Sequence, residues 1–177
     1  MRSSGDEVER LVFFLAVAAA GAQELKTVAS VDLDRYVGRW YEIARLPNRF
    51  QDDCAGEVTA TYAQQPDGKL SVVNACRKAD GSMMSATGAA RKVGDAKLKV
   101  RFAPAWMSWL PMVWGDYWVI DLTDDYSWAV VGDQGLEYFW ILSRTPEMEE
   151  GVFQGIVQRA EKQGYDLAAM TRTKQGE

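Results

Sequence analysis

The stretch Gly38-Arg39-Trp40-Tyr41-Glu42 decides how the rest of this chain is interpreted. A glycine stands two residues before a tryptophan, at the start of the first of several short segments rich in β-forming residues. The Gly-x-Trp sequence alone is a weak signal, because a tryptophan at the edge of a strand is usually an ordinary core residue. Its interpretation therefore depends on the pattern that surrounds it.

Length and composition limit the classes of protein to consider. The chain has 177 residues, which suits one domain with a single sizeable core. Its 20 basic and 25 acidic residues give a net charge of −5 without a basic block, so binding to nucleic acid is not expected. Histidine is absent, which removes the commonest metal ligand and general base. We therefore expect no metal site and no cofactor.

The N-terminal region has the pattern of a secretory signal peptide. An apolar run over residues 11–20 is too short to span a bilayer and ends in the small residues of 20–22. We predict cleavage before Gln23, so that residues 1–22 are the signal peptide and residues 23–177 form a single domain of an exported protein. Acidic residues in the leader leave a buried N-terminal helix as the alternative. No cysteine directly follows the run, so a lipid attachment site is not seen.

Most of the remaining chain has the pattern of short β-strands separated by turns. Sequences such as Pro66-Asp67-Gly68 and Asp80-Gly81 supply the turn chemistry. Because the connections are of hairpin length, the strands favour an antiparallel meander that closes on itself, which removes exposed sheet edges. The predicted fold is therefore all-β, an eight-stranded antiparallel up-and-down β-barrel. The predicted strands are 39–46, 56–64, 69–77, 83–92, 96–102, 115–122, 127–133 and 137–143.

One amphipathic C-terminal α-helix is predicted after the strands. It runs from Pro146, which suits a first helical turn, to Gly164, which suits the position past a helix end. Its apolar face should pack on the outside of the barrel. Residues 165–171 could then add a ninth strand. The apolar face consists of Met148, Val152, Ile156, Val157 and Ala160.

The order of the strands brings three distant segments to one end of the barrel. In a meander the connections alternate between the two ends, so the last strand finishes at the end where the first strand begins. Arg144 should therefore reach Trp40, and the turn that contains Asp125 and Tyr126 should lie at the same end. A guanidinium over an indole face is favourable by roughly 0.5–2 kcal/mol. We predict that Arg144 stacks on Trp40.

Together, these segments resemble the three signatures of the lipocalin family. The resemblance rests on Gly38 and Trp40, on the turn that ends in Asp125 and Tyr126, and on Arg144 after the last barrel strand. All of these residues are placed at the closed end of the barrel. We interpret them as structural residues rather than as ligand contacts.

The resemblance covers about residues 31–172 and is closest to the bacterial lipocalins and their apolipoprotein D relatives. It implies a barrel that binds small hydrophobic molecules, with fatty acids and lysophospholipids expected in the bacterial branch. It implies no catalytic chemistry.

The predicted ligand site is the inward side of the barrel, nearer its mouth. Side chains alternate between the two sides of a strand, and on strand five Leu98 and Val100 alternate with basic residues. On strand six the inward residues are predicted to be Trp118 and Ile120. Small residues on strands two and four leave space for a hydrocarbon chain, although a barrel filled by its own side chains is the alternative. The predicted ligand contacts are Val58, Ala60, Tyr62, Val72, Asn74, Gly88, Val100, Phe102, Trp118, Tyr138 and Trp140.

The connection over residues 103–114 is unusually apolar and contains three tryptophans. The alternation of connections places it at the mouth. Soluble proteins seldom leave such a patch in water. Four interpretations of this connection are open. It is a lid that folds over the opening, a contact to a lipid surface, the interface of a homodimer, or a segment that packs into the top of the barrel.

Cys54 and Cys76 are predicted to form a disulfide. They lie at the mouth ends of adjacent antiparallel strands, and both have even position numbers. Both side chains can therefore point to one face of the sheet. In an exported protein two such cysteines usually pair. Two free buried thiols are the alternative.

The predicted function is to bind and store or transport a fatty acid or lysophospholipid in the barrel cavity. The bacterial resemblance implies a role in envelope lipid maintenance, in the periplasm or at the outer membrane, with secretion as the alternative. The partner is a small hydrophobic ligand, peripheral membrane contact is allowed, and the protein is a monomer or a homodimer. Two other functions are the alternatives: a membrane- or partner-interaction protein that uses residues 103–114, and an enzyme on the same fold. The enzyme is disfavoured because the dense charge groups have structural interpretations. Asp124-Asp125 and Glu42 with Arg45 are interpreted as turn chemistry or as pairing at the closed end of the barrel.

Overall fold

The computed structural model describes residues 24–103, 107 and 110–176, so the predicted signal peptide at 1–22 lies outside the described residues. All eight predicted strands are present, with ends within two residues of the predicted positions. Neither α-helix of the described residues is long and apolar enough to cross a membrane. The strands are β1 Gly38–Arg45, β2 Cys54–Gln64, β3 Leu70–Lys78, β4 Met83–Lys92, β5 Lys97–Arg101, β6 Gly115–Leu122, β7 Trp128–Gly132, β8 Phe139–Ser143 and β9 Thr171–Arg172. The helices are α1 Leu33–Tyr36 and α2 Glu150–Lys162.

Strands β1 to β8 form one closed antiparallel barrel. Each of β2 to β8 pairs with its neighbour along the chain, and β1 pairs with both β8 and β2. The ladder between β1 and β2 is short and runs from Gly38 opposite Tyr62 to Tyr41 opposite Thr59. This closure confirms the predicted barrel, because an open meander would leave β1 and β8 as free edges.

Local turn chemistry sets where the hairpins reverse. Between β2 and β3 the Asp67 side chain accepts the backbone N–H of Lys69 at 3.1 Å, and Gly68 adopts a φ of 78°. The Asp80-Gly81 pair between β3 and β4 repeats the arrangement, with a φ of 84° at Gly81. Left-handed φ values favour glycine, so these Asp-Gly pairs direct the reversals that the sequence predicts.

The helix α2 begins later than predicted because a carboxylate caps it. The Glu149 side chain accepts the backbone N–H groups of Gly151 and Val152 at 2.8 and 3.0 Å. These bonds satisfy two of the donors that a helix start leaves free. The first helical residue is therefore Glu150 rather than the predicted Pro146.

The segment after α2 also differs from its prediction. Only Thr171 and Arg172 form a strand, which pairs with β1. Tyr165 and Leu167 are buried, and the Ala168 N–H donates to the Asp166 side chain at 3.1 Å. That hydrogen bond supports a local turn in place of a sheet ladder. The ninth strand predicted over 165–171 therefore starts only at the last residue of that range.

Two apolar clusters lie on opposite sides of the barrel wall. The inner cluster lies inside the barrel, and the outer cluster joins the wall to α2, which contributes Phe153, Ile156 and Ala160. Phe153 was not on the predicted helix face. The inner cluster consists of Val31, Tyr36, Trp40, Tyr62, Leu70, Val72, Ala90, Ala96, Leu98, Tyr117, Val119, Tyr126, Ala129, Val131 and Leu142. The outer cluster consists of Leu25, Ile43, Ala44, Leu46, Trp118, Ile120, Val130, Phe139, Ile141, Phe153, Ile156, Ala160, Tyr165 and Leu167.

Strand β6 corrects one predicted orientation. Tyr117 and Val119 belong to the inner cluster, whereas Trp118 and Ile120 belong to the outer cluster. All four are buried, because one side faces the barrel interior and the other faces α2. When both sides of a strand are apolar, alternation cannot tell which side is inward. The predicted inward orientation of Trp118 and Ile120 is therefore wrong.

The C-terminal segment completes the wall where β1 and β2 separate. After β9 has paired with β1, the Lys174 carbonyl accepts the N–H of Glu57 on β2 at 2.7 Å. The Gln175 side-chain amide donates to the carbonyls of Glu42 on β1 and Val58 on β2, at 2.7 and 3.1 Å. The tail therefore supplies hydrogen bonds that the short β1–β2 ladder lacks.

Candidate functional site

The closed end of the barrel is built around the fully buried Trp40. The Arg144 Cζ lies 3.7 Å from the centroid of the Trp40 ring, which confirms the predicted stack. The Trp40 Nε1–H donates to the Tyr36 carbonyl at 2.8 Å. The Arg144 guanidinium donates to the carbonyls of Arg35 and Arg39 at 2.7 and 2.9 Å. Arg144 thus ties the end of β8 to α1 and to the start of β1.

The turn at Asp125 and Tyr126 lies at the same end. Tyr126 has a left-handed φ of 61°, and its hydroxyl accepts the N–H of Asp32 at 2.9 Å. The N–H of Ser127 donates to Asp125 at 2.9 Å, and this bond holds the pKa of the carboxyl below its usual value. Gly38 has a φ of 98°, and a Cβ there would crowd the guanidinium at 3.3 Å. The signature residues therefore converge on one structural element, which we call the floor.

Three tyrosines form a hydroxyl cluster at the floor. The Tyr36 hydroxyl lies 2.8 Å from that of Tyr117, and the Tyr62 hydroxyl donates to Tyr117 at 2.8 Å. Burial raises the pKa of each phenol, that of Tyr62 to about 12, so all three are neutral at neutral pH. Of these three, only Tyr62 was a predicted site residue, because Tyr36 lies before the barrel and Tyr117 was predicted to point outward.

Inward side chains in the middle of β3 and β4 are exposed, whereas those nearer the floor are buried. On β3, Leu70 and Val72 are buried, whereas Asn74 on the same side of the strand is exposed. On β4 the change runs from Ala90, which is buried, to Ala86, which is exposed. Because these residues share the side of the inner cluster, the exposed ones face space that water enters. The inner side is therefore buried at the floor and reached by water in the middle of β3 and β4.

A row of small side chains crosses three strands beside Trp40. Ala60 on β2 lies opposite Trp40 on β1 and opposite Asn74 on β3. Asn74 in turn lies opposite Ala86 on β4. Well-packed interiors fill such rows with larger side chains. Space for a hydrocarbon chain beside these residues of strands two and four stays a prediction.

The structure places the predicted ligand contacts on the inner side of the wall with one exception. Trp118 is in the outer cluster, where the Lys97 ammonium lies 3.7 Å from its ring centroid. Contact of the remaining residues with a ligand stays a prediction. Ala60, Tyr62, Val72, Val100 and Trp140 belong to the inner cluster or pack against it. Strand alternation puts the others on the same side: Val58, Asn74, Gly88, Phe102 and Tyr138.

Gly88 makes room for the ring of Phe102. A Cβ at Gly88 would lie 2.7 Å from the Phe102 Cδ1 and 2.6 Å from the Arg101 carbonyl oxygen. The absence of a side chain lets the aromatic ring cover the backbone of the neighbouring strand. Phe102 is itself exposed, so it extends the apolar wall to the mouth.

Three neighbouring aromatic rings form a ladder from the interior to the mouth. Tyr138 and Trp140 stack with centroids 5.8 Å apart and an interplanar angle of 4°. The Phe50 ring lies 5.7 Å from Tyr138 and is 62% exposed. We call Phe50, Tyr138 and Trp140 the aromatic ladder. Phe50 was not predicted, because it lies in the 3-10 helix Arg49–Gln51, outside the strands whose alternation indicates inward residues.

A polar network fixes the ladder to the wall. The buried Glu42 carboxylate accepts hydrogen bonds from Arg45 Nη1 at 2.8 Å and from Gln51 Nε2 at 2.6 Å. Gln51 Oε1 accepts the Trp140 Nε1–H at 2.9 Å. A buried carboxylate needs such partners. Because Gln51 lies in the connection at the mouth, Glu42 and Arg45 pair toward that end of the barrel. Their interpretation as a pair at the closed end is wrong.

Cys54 and Cys76 form the predicted disulfide, with their Cα atoms 5.6 Å apart. The bond joins β2 to β3 near the mouth, where register shifts interrupt the ladder between the two strands. It therefore holds these strands together where their pairing is irregular.

The apolar connection over 103–114 is described only in part, and Trp106 and Trp109 lie outside the described residues. Trp114 is buried, and the Arg91 Cζ lies 4.4 Å from its ring centroid. Met112 is 86% exposed. At least one end of the connection thus packs on the barrel while another part of it presents an apolar side chain to water.

Comparison with known proteins identifies related chains. The chain matches the family described as a lipocalin-like domain over residues 31–175. Temperature-induced lipocalin-1 of Arabidopsis thaliana is 39% identical over 160 residues, covering 88% of this chain and 85% of that protein. Outer membrane lipoprotein Blc of Escherichia coli (strain K12) is 36% identical over 162 residues, covering 88% and 87%. The resemblance to the bacterial lipocalins is thereby confirmed.

The fold is shared with solved structures of low sequence identity. Insecticyanin from the tobacco hornworm Manduca sexta aligns with a TM-score of 0.65 and 22% identity, over 87% of this chain and 86% of that chain. At that identity the likeness shows the fold alone. The family match spans the closed barrel together with the Trp40–Arg144 floor. The chain therefore belongs to the lipocalin family, whose members bind small hydrophobic ligands.

Proposed function

We propose that this lipocalin binds one fatty acid or lysophospholipid inside the barrel, to store or transport it, and that it catalyses no reaction. The observation that carries the proposal is the exposure of small inward side chains above a buried apolar floor. Asn74 and Ala86 are exposed on the same side of the wall as the buried Val72 and Ala90. A hydrocarbon chain needs a concave apolar site with few polar groups, and the inner wall supplies both.

The tail of the ligand is proposed to point toward Trp40, with the head near the mouth. Apolar side chains of the inner cluster surround the lower part of the interior. Polar groups that can orient a head are few, and Asn74 and the Tyr138 hydroxyl are the candidates among the inner residues. The aromatic ladder offers flat apolar surface between these two regions.

The substitution Ala60→Trp tests the site. An indole at this position would fill the row beside Trp40, at an overpacking cost of roughly 1–3 kcal/mol. We expect delipidated Ala60→Trp protein to bind a fluorescent acyl probe at least about tenfold more weakly than the wild type. Thr61→Trp is the matched control, because Thr61 is the next residue on β2 and points to the other side of the wall.

The outcome of this comparison separates two sites. Weakened binding in Ala60→Trp alone would support the barrel interior. Equal affinities in the wild type and a folded Ala60→Trp variant would indicate that the ligand binds at the exposed apolar residues of the mouth instead.

Contact with a lipid surface is a second function that the mouth favours. Phe50 and Met112 are 62% and 86% exposed, and both lie in connections at the same end of the barrel. Exposed apolar groups on one end suit transient docking to a membrane or a partner. We expect wild-type protein to co-sediment with phospholipid vesicles and the Phe50→Ser/Met112→Ser variant to remain in solution. Equal sedimentation of the wild type and the double variant would contradict this function.

We further propose that the protein is exported, with cleavage before Gln23, and serves lipid maintenance in a bacterial envelope. The disulfide supports export, because such bonds persist in oxidising compartments. The Escherichia coli relative is named an outer membrane lipoprotein, which supports a place in the periplasm or at the outer membrane. Intact mass of protein from a periplasmic extract tests the cleavage, and a chain that retains Met1 would contradict it. Light scattering of the same sample distinguishes a monomer from a homodimer.

A further inference from the structure

The hairpin of β4 and β5 concentrates positive charge in an acidic protein. From Met83 to Arg101 it contains five basic residues and one acidic residue, Asp95. The whole chain has a net charge of −5, so a hairpin charge of +4 leaves −9 for the other residues. The basic residues of the hairpin are Arg91, Lys92, Lys97, Lys99 and Arg101.

Strand alternation gathers four of these residues on the outer side of the barrel wall. Ala90, Leu98 and Val100 belong to the inner cluster or pack against it, so the residues that alternate with them point outward. Arg91 lies directly opposite Lys99 on the ladder between the two strands. The sequence has no basic block because other residues separate these positions, and the pairing of the strands brings the charges together. The four outward residues are Arg91, Lys97, Lys99 and Arg101, which we call the basic face.

The basic face is unfavourable for the isolated sheet. Like charges directly opposite each other on neighbouring strands destabilise a sheet, and Arg91 and Lys99 are such a pair. The ring of Trp114 compensates in part, because its centroid lies 4.4 Å from the Arg91 Cζ and 5.2 Å from the Arg101 Cζ. Packing within the barrel therefore does not account for the concentration of charge.

Carboxylates neutralise only part of the basic face. Asp116 on β6 lies 2.9 Å from the Lys99 ammonium, and Glu24 lies 4.0 Å from that of Lys97. All four side chains are partly or largely exposed, and ion pairs in water contribute little. Even with both pairs formed, two of the four positive charges exceed the acidic ones. The basic face can therefore attract an anionic partner.

The neighbouring apolar residues indicate which kind of anionic partner fits. Met112 is 86% exposed and stands two residues before Trp114, whose ring lies against the basic face. Basic groups beside an exposed apolar group suit a membrane surface, where the charges meet anionic headgroups and the apolar side chain enters the lipid. A single-stranded nucleic acid would need an exposed ring for stacking, whereas Trp114 is buried.

We propose that the basic face binds the anionic headgroups of phospholipids and so directs the protein to anionic rather than neutral membranes. This inference rests on the second function proposed above, contact with a lipid surface, and it names the lipid class that this contact selects.

Sedimentation with two kinds of vesicle tests the inference. Wild-type protein is mixed with vesicles of phosphatidylcholine or with vesicles of equal parts phosphatidylcholine and phosphatidylglycerol. At about 0.1 M salt, partition into the mixed vesicles should be at least about tenfold stronger, since each basic side chain near an anionic surface contributes roughly fivefold. At about 1 M salt the preference should largely disappear, because the Debye length falls from about 10 Å to about 3 Å.

A charge-matched pair of variants locates the effect. Arg91→Gln/Lys99→Gln removes two charges of the basic face, and its preference for mixed vesicles should fall at least about tenfold. It should fold, because the substitutions remove a like-charge pair. Arg39→Gln/Lys69→Gln is the control, because it changes the net charge equally at exposed residues on β1 and directly before β3. It should keep the wild-type preference.

Each result has a separate meaning. Equal partition of the wild type into both vesicles, or a preference that salt leaves unchanged, overturns the inference but leaves lipid contact in place. The same loss in both double variants also overturns it, because net charge rather than the basic face would then select the membrane. Binding of a single-stranded oligonucleotide without a preference for mixed vesicles assigns the face to nucleic acid instead. If the wild type sediments with neither vesicle, the second function fails together with the inference.

Discussion

The floor and the mouth of the barrel belong to the same strands but are held together in different ways. At the floor, Trp40 is fully buried and Arg144 donates to backbone carbonyls of α1 and β1. At the mouth, Phe50 and Met112 are largely exposed, and a disulfide joins β2 to β3. Packing and hydrogen bonds to backbone carbonyls therefore stabilise the floor, whereas the mouth keeps apolar surface available and is held by a disulfide and side-chain hydrogen bonds.

This difference separates stability from binding. Loss of a packed floor residue creates a cavity that the surrounding wall cannot close. Loss of an exposed mouth residue removes contacts that only a ligand or a membrane would use. Substitutions at the two ends should therefore change different measurements.

The largest effect is expected for Trp40→Ala. Removal of this fully buried side chain should lower the free energy of unfolding by about 3–5 kcal/mol. Denaturant unfolding followed by circular dichroism measures it. Trp140→Ala is the control from the aromatic ladder, and its cost should be about 1–2 kcal/mol because the ring is only half-buried. Equal costs would erase the distinction between floor and mouth.

The next effect is expected for removal of the disulfide. The Cys54→Ala/Cys76→Ala variant should lose about 3 kcal/mol of stability, since the bond closes a loop with a sequence separation of 22. Thermal unfolding of the two proteins gives the difference. Alkylation of unfolded wild-type protein without reductant should add no mass. Two alkylated thiols would show that the mouth is not covalently held.

A smaller effect is expected for Arg144→Lys. Lysine keeps a positive charge near Trp40 but lacks the planar fork that reaches the carbonyls of Arg35 and Arg39. The free energy of unfolding should fall by about 1–2 kcal/mol. Arg159→Lys is the matched control, because the Arg159–Asp121 ion pair is half-exposed and should contribute little. A similar loss in both variants would argue against a special role for the floor arginine.

The smallest effect on stability is expected for Phe50→Ser. The side chain is 62% exposed, so the free energy of unfolding should change by less than about 0.5 kcal/mol. Affinity for the acyl probe should fall about three- to tenfold, because the ladder loses its outermost ring. Ser71→Ala, on the outer side of β3, is the control. Unchanged affinity would exclude the ladder from the ligand path.

The amino-acid sequence by itself determined the barrel, its floor and its disulfide. Strand segments and Asp-Gly turns are local signals, so the positions of β1 to β8 follow from composition over a few residues. The meeting of Trp40 with Arg144 and of Cys54 with Cys76 follows from strand order alone, because antiparallel hairpins alternate between two ends.

Only the tertiary structure decided which side of β6 faces inward and which hydrogen bonds join the elements near the mouth. The helix α2 covers the outer side of β6, so Trp118 is buried like Tyr117. The sequence pattern of β6 therefore does not indicate which side faces inward. The hydrogen bonds of Glu42 with Gln51, and of Gln175 with both β1 and β2, join residues whose proximity depends on how the closed chain packs. Alternation reports the contrast between the two sides of a strand, and that contrast vanishes wherever another element buries the second side.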